Sequence, residues 1–251
     1  MYNRRTAVKN IAKTIAGVVA GNILLGTPAI AANDHPGAVE GNDGDFLIIN
    51  AGIGGNTTKD LLGRVEKDCY VHKAGLTILM AGTNDMNSVK YIPLQQYEQN
   101  MRELAKGILA RKSKLIMMTI LPCHEPDLLT RHPAAFYEPE GIAGRRKQVN
   151  EVIKKIAADY KVHLIDLEHR FNAVGKISDD KDSLLKNLAN SNKRDGIHPT
   201  ANGYRFIALS VYDYLIDHKI PYHKTVCFGD SITKGDAENY PGYLKALLKS
   251  V

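Results

Sequence analysis

Short apolar runs recur along the chain and predict buried β-strands. They are rich in Ile, Leu, Val and Met and contain almost no charged residue. A short, uniformly apolar run is typical of a strand that is covered on both faces, as in a parallel sheet. The runs lie at residues 46–49, 76–80, 115–121, 162–165 and 225–228.

The segments between these runs carry apolar residues at helical spacing. They lie at residues 58–68, 94–109, 143–160, 201–216 and 240–248. Strands that alternate with helices predict an α/β fold, a three-layer sandwich with a central parallel sheet of about five strands. In such a fold the loops at the carboxyl ends of the strands form the natural site. The pattern contains no internal repeat, and residues 46–251 are interpreted as one domain.

The amino-terminal segment predicts export. Residues 1–32 contain no acidic residue, and they end in small residues with an A-x-A cleavage pattern at Ala29-Ile30-Ala31. The Arg4-Arg5 pair partly matches a twin-arginine motif, which favours a periplasmic or extracellular location. The apolar part of about 15 residues is shorter than the roughly 20 that a membrane span needs, so cleavage is expected rather than a retained anchor. Residues 33–45, rich in Asn, Asp and Gly, read as a linker.

Most of the excess positive charge of the chain lies in this predicted signal. The net charge is +6, and four of the basic residues (Arg4, Arg5, Lys9 and Lys13) lie in the predicted signal. Without them the net charge falls to +2. This small excess argues against a nucleic-acid partner.

Cysteine and histidine usage argues against metal and cofactor sites. Cys69, Cys123 and Cys227 show no C-x-x-C spacing, and three cysteines are too few for a disulfide scaffold. Each is expected to be a free, buried thiol. The nine histidines include no H-E-x-x-H pattern, so no metal is expected.

Two candidate blocks follow predicted strands as tight turns. G-D-S-I-T at residues 229–233 places Ser231 just after a buried strand, where a serine can act as a nucleophile or simply cap a helix. The glycine-rich turn at residues 50–58 leads into a helix, and its backbone amides can hold an anion. It lacks the G-x-G-x-x-G order and the Walker lysine, so nucleotide binding has no support.

Two further blocks are expected at the same edge of the sheet. G-T-N-D at residues 82–85 supplies the Asn84 amide as a donor. D-G-I-H-P-T at residues 195–200 sets Asp195 three residues before His198, a spacing that lets the carboxylate orient the imidazole toward a nucleophile. Each block alone is ambiguous, but together they supply a nucleophile, a base, an orienting carboxylate and oxyanion donors.

These four blocks resemble the signature blocks of the SGNH (GDSL) hydrolase superfamily. The resemblance covers nearly all of the chain from residue 46 onward. It implies the flavodoxin-like SGNH hydrolase fold, with Ser231 as nucleophile, His198 as general base and Asp195 as its orienting carboxylate. It also implies an oxyanion hole formed by the Ser231 backbone amide, Gly55 and Asn84, with no cofactor.

The order of the blocks differs from the order usual in this superfamily. The G-D-S block ordinarily comes first, whereas here it comes last and the glycine block leads. The chain therefore resembles a circular permutant, with helix 240–248 equivalent to the one that usually follows G-D-S. A fragment of a tandem protein would show the same order. If the permutation holds, the strand at residues 225–228 must pair between the strands that carry Gly55 and Asn84.

The leading hypothesis is an exported serine esterase that removes short acyl groups, such as acetyl, from a small-molecule or carbohydrate ester. One alternative is a lipid or lysophospholipid acylhydrolase, which would favour an apolar channel near residues 123–141, where Phe136 and Tyr137 are adjacent. That proline-containing stretch is read either as a pocket wall or as a surface excursion. A second alternative is a glycan-binding module with a decayed site. The sequence leaves the oligomeric state open.

Overall fold

The computed structural model describes residues 46–87 and 89–250, and in them the predicted α/β fold is confirmed. Five strands form one sheet in the order β1-β5-β2-β3-β4, and every pair is parallel. The strands are β1 (Leu47–Gly52), β2 (Leu76–Met80), β3 (Lys114–Met118), β4 (His163–Ile165) and β5 (Lys224–Gly229). The predicted export signal (1–32) and linker (33–45) lie outside the described residues.

Helices cover both faces of this sheet. They are α1 (Thr58–Asp68), α2 (Leu94–Ala110), α3 (Glu125–Leu128), α4 (Gly141–Asp159), α5 (Leu167–Val174), α6 (Leu188–Ser191), α7 (Ala201–Asp217), α8 (Ser231–Lys234) and α9 (Tyr240–Leu248). The five longest correspond to the five helices that the apolar spacing predicts. The short helices α3, α5, α6 and α8 span too few turns to produce a periodic signal.

Side chains on successive strand residues point to opposite faces and so build two apolar cores. Leu79, Met117 and Phe228 pack with helices α1, α2 and α4 on one face. Ile78, Ile116 and Cys227 pack with α5, α7 and α9 on the other. Because both faces are covered, all five residues of β2 are buried. The edge strand β1 is only partly covered, and Leu47 is exposed.

The strand that comes last in the chain is internal to the sheet. Val226 of β5 pairs with Ile49 of β1 on one side and with Thr77 of β2 on the other. The expected place of this strand, between those that lead to Gly55 and Asn84, is confirmed.

Three details differ from the sequence-based expectations. The third strand ends at Met118 rather than at residue 121, because the Ile120 amide donates to the Asn150 side chain (2.8 Å) instead of to a neighbouring strand. The 123–141 stretch, expected to be irregular, contains α3 and a 3₁₀ turn, Ala134–Tyr137. All three cysteines are free as expected, but Cys123 is only partly buried, because it lies in this loop region.

Within the described residues, no helix is both long and apolar enough to cross a membrane.

Candidate active site

Strands β1, β5 and β2 end at the same level of the sheet. Gly229, the last residue of β5, pairs with Gly52 of β1 and with Met80 of β2. Parallel strands present their carboxyl ends at one edge, so the glycine, G-T-N-D and G-D-S blocks all leave the sheet there. The register of these three strands therefore brings three of the four predicted blocks to one place.

Ser231 lies on a tight turn immediately beyond β5. It is the first residue of the short helix α8, and the Asp230 side chain caps that helix by accepting a hydrogen bond from the Ile232 amide (2.9 Å). Asn50 of β1 holds the other end of the turn, since its side-chain amide donates to the Lys234 carbonyl (3.1 Å). The nucleophile candidate is thus fixed at both ends of its turn.

His198 connects Ser231 to Asp195. Its Nε2 lies 3.0 Å from Ser231 Oγ, and its Nδ1 lies 2.9 Å and 3.0 Å from the two Asp195 carboxylate oxygens. Asp195 Oδ1 also accepts hydrogen bonds from the backbone amides of Ile197 (3.0 Å) and His198 (2.8 Å). The three predicted residues form one continuous hydrogen-bonded chain, although they come from two distant parts of the sequence.

Asp195 is electrostatically suited to stay ionised beside the imidazole. Burial by itself raises the pKa of Asp195, but the hydrogen bonds and charge of His198 outweigh burial and hold this pKa well below its usual range. An ionised carboxylate here fixes the imidazole orientation and stabilises its protonated form.

The loop that carries Asp195 and His198 is itself held in place by the 123–141 region. The His124 amide donates to the Gly196 carbonyl (2.8 Å), and Arg131 donates to the Asp195 carbonyl (2.9 Å). Gly196 has φ +74°, and a Cβ there would lie 3.0 Å from the Leu128 amide nitrogen. The 123–141 stretch thus supports the loop that carries His198, a role that its sequence did not indicate.

Gly55 and Asn84 lie next to each other at the neighbouring strand ends. Gly55 adopts φ +76°, a left-handed conformation that favours glycine. The Asn84 side-chain amide donates to the carbonyl of Asn56 (2.9 Å), the residue after Gly55. An amide side chain has two N–H groups, and this hydrogen bond uses one of them. Lys90, which the sequence did not single out, donates to the Gly55 carbonyl (2.5 Å).

One side-chain cluster has the composition of a metal site. His124, Asp127 and Asp179 offer ligating atoms within 4.8 Å of one another. The Arg194 guanidinium lies 3.5 Å from Asp127 and already places a positive charge beside this carboxylate. His124, Asp127, Asp179 and Arg194 therefore form an ion-pair cluster.

The comparisons with known proteins identify the family of the chain. The sequence profile of the GDSL-like lipase/acylhydrolase family matches residues 26–206, well over half of the chain. The chain belongs to this family. The GDSL-like domain is therefore an ester-bond hydrolase.

Two curated relatives and a solved structure resemble this GDSL-like hydrolase. "Uncharacterized lipoprotein YqeF" of Bacillus subtilis is 28% identical over 184 residues, which are 68% of this chain and 74% of the relative. An acetylxylan esterase of Geobacillus stearothermophilus is 26% identical over 172 residues, 64% and 68% of the two chains. A lipase/acylhydrolase structure from Enterococcus faecalis superposes with a TM-score of 0.51 at 20% identity, covering 65% and 72% of the two chains, and shows the same fold.

The GDSL-like hydrolase also buries two carboxyl groups beside the nucleophile turn. Asp85 accepts hydrogen bonds from the Thr58 amide (2.9 Å) and hydroxyl (2.5 Å) and so anchors the start of α1. Burial raises the pKa of Asp85 to about 6 and that of Asp230 to about 7, and the charge of Asp85 also raises the pKa of Asp230. Because both carboxyl groups have a higher pKa in the folded state than in the unfolded chain, the folded state binds their protons more tightly. Their contribution to the free energy of unfolding therefore falls as the pH rises from about 4 to about 7.

Gly52 allows the nucleophile turn to sit against β1 in this GDSL-like hydrolase. A Cβ there would lie 2.6 Å from Lys234 Cα and 2.6 Å from the Thr233 carbonyl carbon. Because these are backbone atoms, we expect Gly52→Ala to displace the turn, to cost about 1–3 kcal/mol of unfolding free energy and to lower esterase activity. Gly63→Ala is the matched control, since nothing lies within 4 Å of its Cβ on the exposed side of α1. It should gain about 0.5–1 kcal/mol. Thermal unfolding compares the two, and equal melting temperatures would contradict the close contact at Gly52.

Proposed function

We propose that this protein is an exported serine esterase that works through an acyl-enzyme on Ser231. The observation that carries the proposal is the unbroken chain of contacts from Asp195 through His198 to Ser231 Oγ, with 2.9 Å and 3.0 Å at its two links. A serine, a base and an orienting carboxylate in this geometry form an activated nucleophile.

In the proposed reaction His198 Nε2 takes the Ser231 Oγ proton while Oγ attacks the ester carbonyl carbon. The carbonyl oxygen becomes an oxyanion, for which the Ser231 amide, the Gly55 amide and Asn84 are the proposed donors. The tetrahedral intermediate collapses, the C–O bond to the alcohol breaks, and His198 returns its proton to the leaving alcohol. Water then attacks the acyl-enzyme, with His198 again acting as base, and releases the acid and free Ser231.

We infer that the substrates carry short acyl groups, such as acetyl on carbohydrate. The curated relative named acetylxylan esterase supports this choice. The apolar channel expected for a lipid substrate has less support. Tyr137 is buried and packs near the Arg145 guanidinium, so only Phe136 of the two adjacent aromatic residues is exposed. Two open grooves, of about 560 and 250 Å³, include none of Ser231, His198 and Asp195 in their lining.

Export is part of the proposal. Its basis is the charge and cleavage pattern of residues 1–32, and the lipoprotein name of one relative is compatible with it. The glycan-binding alternative with a decayed site is disfavoured, because a decayed site has no reason to keep the three residues in hydrogen-bond reach of one another.

A substrate panel tests the proposed function. We expect the purified protein to hydrolyse acetylated xylo-oligosaccharides and short-chain p-nitrophenyl esters with higher kcat/KM than long-chain esters and lysophosphatidylcholine. The Ser231→Ala variant, measured in parallel, identifies any contaminating activity. Preference for long acyl chains would favour the lipid hydrolase. Sugar binding without hydrolysis of any ester would favour the glycan-binding alternative.

A further inference from the structure

Arg64 of α1 is a buried cation placed beneath the carboxyl ends of the central strands. Its side chain is only 7% exposed. An arginine is rarely buried to this degree unless its donors are paired, because removing a charge from water is costly. Arg64 lies on the apolar side of α1, next to Leu61 and Val65. If packing were the only requirement, this position would hold an aliphatic residue.

The guanidinium group is paired with acceptors from three separate segments. It donates to the Gly229 carbonyl of β5 (2.8 Å), to the Ala51 carbonyl of β1 (3.0 Å) and to the side-chain oxygen of Asn56 (2.6 Å). An ion pair with Asp68 (3.1 Å) balances the charge from within α1. Its carbon Cζ also lies 4.5 Å above the Phe228 ring.

Each of these acceptors adjoins a group that the proposed reaction uses. Gly229 lies two residues before Ser231, and Asn56 follows Gly55 directly. The backbone carbonyl of Asn56 accepts the hydrogen bond from Asn84 (2.9 Å). Arg64 therefore binds the end of the nucleophile strand on one side and, through Asn56, the pair Gly55 and Asn84 on the other.

The planar, five-donor guanidinium suits this position better than an ammonium group does. Three acceptors at fixed and different directions require donors in a rigid fork, whereas a lysine presents a single nitrogen on a flexible stem. The donors also satisfy a strand-end carbonyl at Ala51 and one at Gly229.

We infer that Arg64 is a positioning residue that sets the distance between the nucleophile and the oxyanion donors. It touches no reacting atom and acts through Gly229 and Asn56. The inference rests on the proposed function, because it assigns to Gly55 and Asn84 the role of oxyanion donors. Removal of one oxyanion donor costs about 10²–10³-fold in kcat, which sets the upper size of the effect expected when a donor is displaced.

The test compares Arg64→Met and Arg64→Lys with Arg102→Met and Arg102→Lys. Arg102 pairs with Glu98 within α2 and with Asp159 of α4, and its hydrogen bonds in the described part of the chain include no strand end, so its variants report loss of an arginine ion pair alone. We expect Arg64→Met to lower kcat by about 10²-fold, with KM for a p-nitrophenyl acetate substrate changed by less than about threefold. Arg64→Lys should recover part of this loss, and the Arg102 variants should keep wild-type kcat.

Two further measurements separate positioning from folding. Melting temperatures identify any variant that is unfolded at the assay temperature. Asn56→Ala removes one acceptor while leaving Arg64 in place, and it should lower kcat by about tenfold or more with little change in melting temperature. If Arg64→Lys and Asn56→Ala both keep wild-type kcat in an active enzyme, the inference is wrong. An inactive wild type would overturn the proposed function and the inference together.

Discussion

A chain truncated after Tyr222 is expected to accumulate as insoluble protein rather than as a folded, inactive one. The deletion removes β5, whose Val226, Cys227 and Phe228 are fully buried and contribute to both apolar cores. It also leaves β1 and β2 without their shared partner, which exposes unpaired strand edges to other chains. Expression followed by separation of soluble and insoluble fractions measures this. Deletion of residues 249–251 is the control and should leave the protein soluble, because Lys249 and Ser250 are exposed.

The same segment tests the circular permutation, which remains a prediction. We propose that moving residues 224–251 ahead of residue 45 through a short flexible joint yields a soluble and active enzyme. Helix α9 packs against β1, and Ile48 of β1 lies in the same apolar cluster as Leu244 and Leu248, so the two segments to be joined are neighbours in the fold. A truncated chain that folds stably would contradict the central role of β5. A rearranged chain that stays inactive with every joint length would contradict the permutation.

Ser231→Ala is expected to lower kcat by about 10⁴-fold or more while changing the melting temperature little. Ser231 supplies the only proposed nucleophile, and loss of a triad member leaves only the contribution of the oxyanion donors and of binding. A partly exposed turn serine contributes little to stability. Steady-state kinetics with p-nitrophenyl acetate and thermal unfolding measure the two quantities on the same preparation.

Asp195→Asn should produce a loss of similar size for a different reason. The amide keeps the shape of the carboxylate but stabilises the wrong imidazole tautomer. Because the pKa of Asp195 is held well below its usual range, this carboxylate stays ionised in mildly acidic solution. The wild-type rate should therefore fall with decreasing pH because a protonated base cannot take the Ser231 proton, and not because Asp195 loses its charge. A rate that stays constant as the pH falls would contradict His198 as the base.

Most of the fold could be predicted because the sequence signals for its long elements are strong. The five uniformly apolar runs and the five predicted helices match observed elements, and the helix at Thr58–Asp68 has the predicted bounds. The bounds of the strands at residues 46–49 and 115–121 differ from Leu47–Gly52 and Lys114–Met118. Strand ends depend on partner residues such as Asn150, which local apolar character does not reveal.

The proposed reacting groups could also be found in the sequence, whereas the residues that hold them in place could not. Ser231, His198 and Asp195 lie in short motifs whose spacing has chemical meaning, and the structure brings these three into contact. Arg64 and Arg131 act through backbone carbonyls of residues that are remote in sequence. Every residue has a backbone carbonyl, so the residue types in the sequence do not show which carbonyl will accept such a hydrogen bond. Only the folded chain reveals these contacts.

The most direct test of the account is covalent labelling with an organophosphonate ester, followed by mass spectrometry of the peptides. A phosphonate reacts with an activated serine and leaves a stable tetrahedral adduct. We expect one adduct per chain on the peptide that carries Ser231, slower labelling in acid, and no adduct on the Ser231→Ala variant. An adduct on a different serine, or esterase activity that survives without labelling of Ser231, would contradict Ser231 as the nucleophile.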